Sequence, residues 1–305
     1  MQRITEPATF QRCCADLRAA GKQVALVPTM GALHAGHAAL IQAAGQRADA
    51  VLVSVFVNPA QFGPDEDFAR YPRSLEADAA CCEALGVRGL FAPTVTAMYP
   101  LGHVTRVEVT GRLAQCFEGQ ARPGHFAGVA TVVLKLLLLA GECTAWFGKK
   151  DAQQWQVIRR LVGDLHLPVR LEAHPIVRDN DGVALSSRNR FLNAAERAAA
   201  RSIPQALAAA AAAWQQGERC GAALQDVTRT HLHPTLAVDY VAVVAERDFA
   251  PRAGAAQVGD WLLLAVRAGA VRLLDNWQLG VDPPPAPTSA RATQAAFRPP
   301  RHPHA

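Results

Sequence analysis

The sequence predicts a doubly wound α/β fold, built on a parallel sheet covered on both faces and followed by a smaller C-terminal α+β domain. Three observations predict it. Short, continuously apolar runs at residues 24–27 and 51–57 stop at Pro28 and at Asn58-Pro59, as strands buried on both faces do. Such runs alternate with stretches of helical periodicity, the signature of parallel strands joined by crossover helices. After Arg190 the alternation gives way to one long Ala-rich stretch and then to several β-branched runs. The first part therefore reads as Rossmann-like and the second as helix-then-strands.

Val24-Ala25-Leu26-Val27 is the first buried strand, running on to Thr29, and a helix is expected from about His34 to Ala48. Val51-Leu52-Val53-Ser54-Val55-Phe56-Val57 is the second strand. A helix over residues 75–85 closes on Gly86 as its C-cap, and a short strand at Leu90-Phe91-Ala92 ends at Pro93. Then come a helix near 129–139, a strand at 144–147, a helix at 151–165 and a strand at 169–173. This places a Rossmann-like domain at residues 1–176, of ordinary domain size. In residues 177–280, Asn193 caps a helix with Glu196 in the reciprocal capping position. Pro204 is expected to kink or divide that helix. Strands follow at 238–244, 261–266 and 271–275. From Val281 the chain is rich in Pro, Ala and Arg, with Pro283-Pro284-Pro285 and Arg298-Pro299-Pro300. So little there can be buried that residues 281–305 are expected to be a disordered tail.

Half of the 305 residues are apolar and the formal net charge is +5. The basic residues are scattered with few aromatics among them, which argues against a nucleic-acid surface and suits an anionic small substrate. The seven cysteines have no C-x-x-C spacing, which argues against zinc or a disulfide framework and for buried thiols in a reducing compartment. No signal-peptide core opens the chain. The apolar stretch 126–140 is short for a bilayer and carries Lys135, so it reads as a buried helix. A soluble, cytoplasmic protein with no membrane partner is expected.

Three clusters carry the chemistry. Met30-Gly31-Ala32-Leu33-His34-Ala35-Gly36-His37 leads from the first strand into a helix. Its two histidines, three apart, share one face of the first turn. The free N–H groups of that turn attract phosphate, and two imidazoles aimed at phosphate oxygens stabilise charge as pyrophosphate departs. Gly31 allows the turn and Gly36 a close approach. Phe147-Gly148-Lys149-Lys150-Asp151 is a second strand-to-helix junction, on the sheet edge where ligands of open α/β sheets bind, with lysine as a point charge for phosphate. Leu185-Ser186-Ser187-Arg188-Asn189-Arg190 lies at the domain junction, where hydroxyls and a guanidinium could close over phosphates as a lid. Taken singly, each cluster also reads as an ordinary helix start, solvated lysine pair or polar loop.

Taken together and in order, these segments resemble the pantoate–β-alanine ligases over roughly residues 1–280. The resemblance extends to Phe56-Val57-Asn58-Pro59-Ala60-Gln61-Phe62-Gly63, Tyr71-Pro72-Arg73, the block from Arg122-Pro123-Gly124-His125 to Val133, Gly182-Val183-Ala184-Leu185-Ser186-Ser187-Arg188-Asn189, and Arg272-Leu273-Leu274-Asp275-Asn276. It implies that ATP, with Mg²⁺, activates pantoate as an adenylate, which β-alanine then converts to pantothenate. It implies ATP contacts at Met30, Gly31, Ala32, Leu33, His34, Ala35, Gly36, His37, Gly148, Lys149, Lys150, Asp151, Val177, Leu185, Ser186, Ser187 and Arg188. His34, His37, Lys150 and Arg188 are then the catalytic set, with His37 the proton donor. Gln61 and Gln154 would hold pantoate, Gln61 also β-alanine, and Arg122 would be a further anion contact. The metal ligands are left open. A homodimer is implied as well. A carboxylate is ionised at neutral pH, with a reference pKa of about 4, so its attack on phosphorus needs no general base.

The sequence departs from the family pattern at three positions: Lys149 where glutamate is usual, Ala152 for tyrosine and Leu185 for methionine. The segment 140–146 is also unusual. Two alternatives therefore stay open: a nucleotidyltransferase of the same superfamily with another acceptor, or a catalytically silent ATP-binding paralogue.

Overall fold

A computed structural model of the chain describes residues 1–64, 66–252 and 254–285. The chain opens with β1 (Gln2–Ile4), α1 (Pro7–Ala19), β2 (Val24–Thr29), α2 (Ala35–Gly45), β3 (Ala50–Val55), a 3₁₀ turn at Pro59–Gln61, α3 (Leu75–Ala84) and β4 (Gly89–Phe91). Three short helices follow: α4 (Val95–Met98), α5 (Arg112–Gln115) and α6 (Glu118–Ala121). Next are α7 (His125–Ala140), β5 (Cys143–Gly148), α8 (Ala152–Asp164) and β6 (Val169–His174). The remainder holds a 3₁₀ turn at Ser187–Phe191, α9 (Ala194–Ala200), α10 (Ser202–Gln215), α11 (Gly221–Thr230), β7 (Ala237–Val244), β8 (Trp261–Ala268) and β9 (Val271–Gln278). Two compact units result. The first comprises Met1–Lys149 and Gln153–His174; the second takes residues 150–152 and the described residues from Pro175 onward.

In the first unit six strands pair in the order β1-β4-β3-β2-β5-β6, every pair parallel. The predicted α/β class is what the structure has. β2 is central because Ala25, Leu26 and Val27 are fully buried, which only a strand flanked on both edges and covered on both faces achieves. The order reverses between β2 and β5, so the loops leaving β2, β3 and β5 share one carboxyl edge at the switch point where open α/β sheets bind ligands.

Two N-terminal elements, β1 and α1, have no counterpart in the sequence reading. A three-residue strand has no period to detect, and α1 buries only Phe10 and Cys14, too little to mark an apolar face. Phe10 stacks on Phe91 with ring centroids 4.5 Å apart, which anchors the helix to β4. α7 begins at His125, earlier than the 129 expected, and its first nine residues are all buried.

The second unit is the α+β arrangement: an antiparallel sheet in the order β7-β8-β9 with α9, α10 and α11. Ile203, Leu207, Trp214, Leu224, Leu264 and Trp277 are among its core residues. Asn193 and Glu196 form the reciprocal cap, with bonds of 2.9 Å each way. The Ala-rich stretch is divided, as expected: α9 ends at Ala200, whose carbonyl Pro204 has no N–H to meet, and α10 starts at Ser202. The break falls at Arg201, and Pro204 is the third residue of α10, in a first turn whose N–H groups lack intrahelical partners anyway. Of the tail foreseen at 281–305, residues 286–305 lie outside the described residues. No described helix is long and apolar enough to cross a membrane. All seven cysteines are free, with Cys14, Cys82 and Cys143 buried.

Candidate active site at the carboxyl edge of the sheet

The loop leaving β2 is held in a conformation that ordinary residues avoid. Gly31 has φ +80° and Ala32 φ +51°, two left-handed residues in succession, and for alanine that costs about 1–2 kcal/mol. A Cβ on Gly31 would meet Asp78 Oδ2 and Val55 Cγ1, each at 2.8 Å, so glycine is required there. The turn is tied down from below. Thr29 Oγ1 donates to Ser54 O at 2.7 Å and accepts from Gly31 N at 3.1 Å. The carboxylate of Asp78, on α3 and 2% exposed, accepts from Ala32 N at 3.0 Å and Leu33 N at 2.7 Å. Burial raises the Asp78 carboxyl above its ordinary range, and the two amide bonds oppose the rise. The amides of Ala32 and Leu33, two of the expected ATP contacts, are thus already engaged. Asp78→Asn leaves one of these amides facing a donor, an unsatisfied buried group. It should lower stability by about 1–3 kcal/mol, read from the urea midpoint, and slow any reaction that uses this loop.

The same loop fixes its two histidines. His34 caps α2, its Nδ1 accepting from Gly36 N at 3.1 Å. His37 Nδ1 accepts from His34 N at 3.3 Å, and the rings lie 4.1 Å apart by centroid. Backbone N–H groups only donate, so each Nδ1 is a bare lone pair and each imidazole carries its proton on Nε2. Two side-chain N–H donors are thereby set at a helix N-terminus, on the edge where β2 and β5 diverge.

The loop leaving β3 forms a second polar cluster, little of which the sequence disclosed. Gln61, 7% exposed, ends the 3₁₀ turn. Its Oε1 accepts from Asn58 Nδ2 at 3.0 Å, and its Nε2 reaches Met30 Sδ at 3.1 Å, joining this loop to the one after β2. Asn58, 1% exposed, also donates to Gly128 O at 3.1 Å and accepts from Ala60 N and the Tyr99 hydroxyl at 3.2 and 2.8 Å. Behind Gln61, His125 Nδ1 meets its carbonyl oxygen at 2.8 Å. A carbonyl only accepts, so the proton is on Nδ1 and Nε2 accepts from Arg122 Nη1 at 3.0 Å. Burial first, and then the Arg122 charge, push His125 down to about 4, which keeps it neutral in this relay.

Arg122 grips Glu66 through Nε and Nη2 at 2.7 and 2.6 Å and reaches the Gln61 carbonyl at 3.4 Å. Burial raises the Glu66 carboxyl, but Arg122 outweighs it and leaves Glu66 below its usual range. The anion contact expected of Arg122 must therefore compete with a bidentate partner, and its evident work is to brace Gln61. Gln154, on α8, is half-buried. Its neighbour Gln153 serves structure, donating to Leu113 O and Cys116 O and accepting from Glu118 N.

After β5, Gly148 has open space on its Cβ side apart from Leu40 at 3.9 Å, and Lys149 N donates to His174 O at 2.9 Å. The remaining foreseen residues belong to the second unit. There Lys150 Nζ lies 3.8 Å from Asp151 and the Lys150 carbonyl accepts from Asn276 at 2.8 Å. Val177, Leu185, Ser186, Ser187 and Arg188 sit on a loop closed by the Leu185 N to Val177 O bond at 2.9 Å. Asp275 anchors that loop through Arg178, with bonds of 2.6 and 2.9 Å. The pair is nearly solvent-free, so removing either partner strands a buried charge. Ser186 Oγ caps the 3₁₀ turn by accepting from Arg188 N at 3.3 Å.

Asp78, Asn58, Glu66, His125 and Tyr99 were not singled out from sequence. Asp78 reads there as a polar position of a surface helix, and Asn58 as half of an Asn-Pro turn. Neither has a motif that announces a long-range bond.

Comparison with known proteins agrees with this layout. The profile of the family described as Pantoate-beta-alanine ligase matches residues 2–278. The pantothenate synthetase of Nitratidesulfovibrio vulgaris (strain Miyazaki F) is 46% identical over 92% of this chain and 99% of its own. The bifunctional pantoate ligase/cytidylate kinase of Thermosynechococcus vestitus is 49% identical over 90% of this chain, which spans about half (54%) of that longer relative. The crystal structure of pantothenate synthetase from Thermus thermophilus superposes with TM-score 0.84 at 43% identity, covering 91% of this chain and 99% of that one. That of pantoate-beta-alanine ligase from Francisella tularensis, complexed with beta-gamma ATP and beta-alanine, gives 0.74 at 31% identity, covering 91% and 97%. With the central β2 loop, its paired histidines and the Asn58–Gln61 cluster in place, the chain belongs to the pantoate–β-alanine ligase family.

Proposed function

We propose that the protein condenses (R)-pantoate with β-alanine using ATP, giving pantothenate, AMP and pyrophosphate through a pantoyl adenylate. The observation that carries this reading is the pair of Nε2–H donors on His34 and His37, locked at the start of α2 on the loop whose Met30 meets the amide of Gln61. In the first step a pantoate carboxylate oxygen bonds to the α-phosphorus and the bond to the bridging oxygen breaks, releasing pyrophosphate. His34 and His37 donate to phosphate oxygens as that charge develops, and His37 serves as proton donor to the leaving group. The attacking carboxylate is already an anion, so positioning and electrostatics carry the step. In the second step the β-alanine amine attacks the acyl carbon, loses a proton, and AMP leaves with the electron pair.

Gln61 and Gln154 are the proposed pantoate contacts, Gln61 also meeting β-alanine, with Arg122 in a bracing role. Gly148, Lys149, Lys150, Asp151, Val177, Leu185, Ser186, Ser187 and Arg188 complete the proposed ATP set, with Lys150 and Arg188 as phosphate cations. ATP enters as its Mg²⁺ complex. The cation is carried on phosphate and water rather than in a protein cage. The free cysteines suit a cytoplasmic setting. Pyrophosphate release by the purified chain tests the reading: it should require pantoate and ATP, and become multiple-turnover with β-alanine. Release indifferent to pantoate would favour the other-acceptor reading; none at all would favour the silent paralogue.

Lys149 supplies a further expected outcome. Restoring the family residue by Lys149→Glu changes local charge by two beside a polyphosphate, so ATP KM or kcat should shift severalfold. Unchanged steady-state constants would assign residue 149 to backbone contacts alone.

We also propose a homodimer through the segment after α4. Leu101 and Val104 are fully or almost fully exposed (106% and 93%), an unusual setting for two large apolar side chains so close together. They border a cavity of about 530 Å³ that Tyr99, His103 and Thr131 also line. Light scattering of the wild type should give twice the chain mass, and Leu101→Asp with Val104→Asp should halve it; a monomeric wild type would end the proposal.

A further inference from the structure

We propose that Tyr99 and Asn58 together fix the hydrogen-bond polarity of Gln61, so that its Nε2 donors are turned to the acceptor substrate and meet an oxygen that accepts. The inference rests on the proposed pantoate site and adds to it which group Gln61 can bind and what makes it so. Side-chain amides are two-faced, and their orientation must come from partners that are not. Here two such partners flank Asn58. Ala60 N can only donate, and it meets Oδ1 at 3.2 Å; Gly128 O can only accept, and it meets Nδ2 at 3.1 Å.

The Tyr99 hydroxyl adds a second donor to Oδ1 at 2.8 Å. Burial raises that phenol to about 12, so it keeps its proton at any working pH. Asn58 is thereby locked, and its remaining N–H must point at Gln61, where it meets Oε1 at 3.0 Å. Gln61 in turn has one lone pair of Oε1 engaged by Asn58 and turns Nε2 toward Met30 Sδ at 3.1 Å. A thioether is a weak acceptor, so a substrate oxygen displaces it at little cost. Gln61 therefore has its amide orientation set, with the Nε2 donors turned to the site. A carboxylate or hydroxyl oxygen satisfies them, and an ammonium does not. An amide that could turn freely would accept either, so this relay, three residues deep, supplies a discrimination that Gln61 alone lacks. Tyr99 acts through Asn58 and is a positioning residue.

Asn58→Asp is the decisive variant. The new carboxylate can only accept, so Gln61 must turn its amide to donate to it and leave Oε1 facing the site. The pantoate KM in pyrophosphate release should rise about 100-fold, the discrimination a buried mispaired polar group produces, while the ATP KM stays within about twofold. Tyr99→Phe removes one of the two donors on Oδ1 and should raise the pantoate KM about fivefold. A purely structural role would move both Michaelis constants together or lower only the melting temperature.

Side-chain amide NMR gives a readout independent of turnover. In the wild type the Asn58 amide protons, both bonded and buried, should exchange slowly with D₂O. In Asn58→Asp the Gln61 amide should move downfield as it donates to a carboxylate. Fast Asn58 exchange, an unmoved Gln61 resonance, or equal shifts of both KM values would overturn the relay. If Asn58→Asp does not fold, the wild-type exchange rates and the Tyr99→Phe constants decide. If the wild type releases no pyrophosphate with pantoate, the proposed function fails, and the NMR signatures still judge the relay.

Discussion

Replacing His37 with alanine is expected to lower kcat for pantoate-dependent pyrophosphate release by about 100- to 1,000-fold, the loss typical of one preorganised donor to a developing anion. Two functions leave with the ring. Its Nε2–H no longer meets the departing phosphate, and its Nδ1 no longer accepts from His34 N. His37→Asn separates them, because an asparagine places a polar atom where Nδ1 stood and nothing where Nε2 stood. If the donor is what matters, the Asn variant stays as slow as the Ala variant while regaining melting temperature. A His37→Asn enzyme within about tenfold of wild type would assign the histidine to capping. Steady-state pyrophosphate release and a thermal melt of the same samples make the comparison.

Gly128→Ala is expected to be nearly as damaging, though the residue carries no chemistry. A Cβ there would collide with the Ala60 carbonyl and lie 2.6 Å from Gln61 Cα. The three nearest atoms are all backbone, so no side chain can relieve the clash by swinging aside. Either α7 or the Pro59–Gln61 turn must shift, and the Asn58 bond to Gly128 O goes with it. Overpacking of this kind costs about 1–3 kcal/mol, and kcat/KM for pantoate should fall about 100-fold because Gln61 is displaced. The ATP KM should change far less, since the β2 loop is tied to Ser54 and Asp78 instead. A urea midpoint and a pantoate/ATP comparison of kcat/KM check both parts; wild-type acceptor kinetics would refute them.

How far the sequence discloses this molecule depends on whether a feature is local. β2 and β3 were legible because fully buried strands write unbroken apolar runs, and the α2 start because His34 and His37 sit three apart at a strand-to-helix junction. The Asn193–Glu196 cap is equally local. Pro204 announced the division of the Ala-rich stretch, though the break itself falls at Arg201, since the missing N–H matters four residues back. What the sequence withheld is long-range. Asp78 reaches 45 residues back to the Leu33 amide, and Glu66 reaches 56 forward to Arg122. Both look like surface acids until the chain is folded. Arg122 illustrates the converse: a lone basic residue in a promising motif invites an anion, and only the fold discloses the carboxylate already in its fork.

The central claim, that a pantoate carboxylate oxygen attacks the α-phosphorus of ATP, is tested most directly by oxygen tracing. Pantoate labelled with ¹⁸O in its carboxylate is turned over with ATP and β-alanine by the purified full chain, and the AMP is weighed by mass spectrometry. An acyl adenylate leaves one carboxylate oxygen on phosphorus, so each AMP should carry a single ¹⁸O and the pyrophosphate none. Unlabelled AMP, or label in the pyrophosphate, would contradict the account.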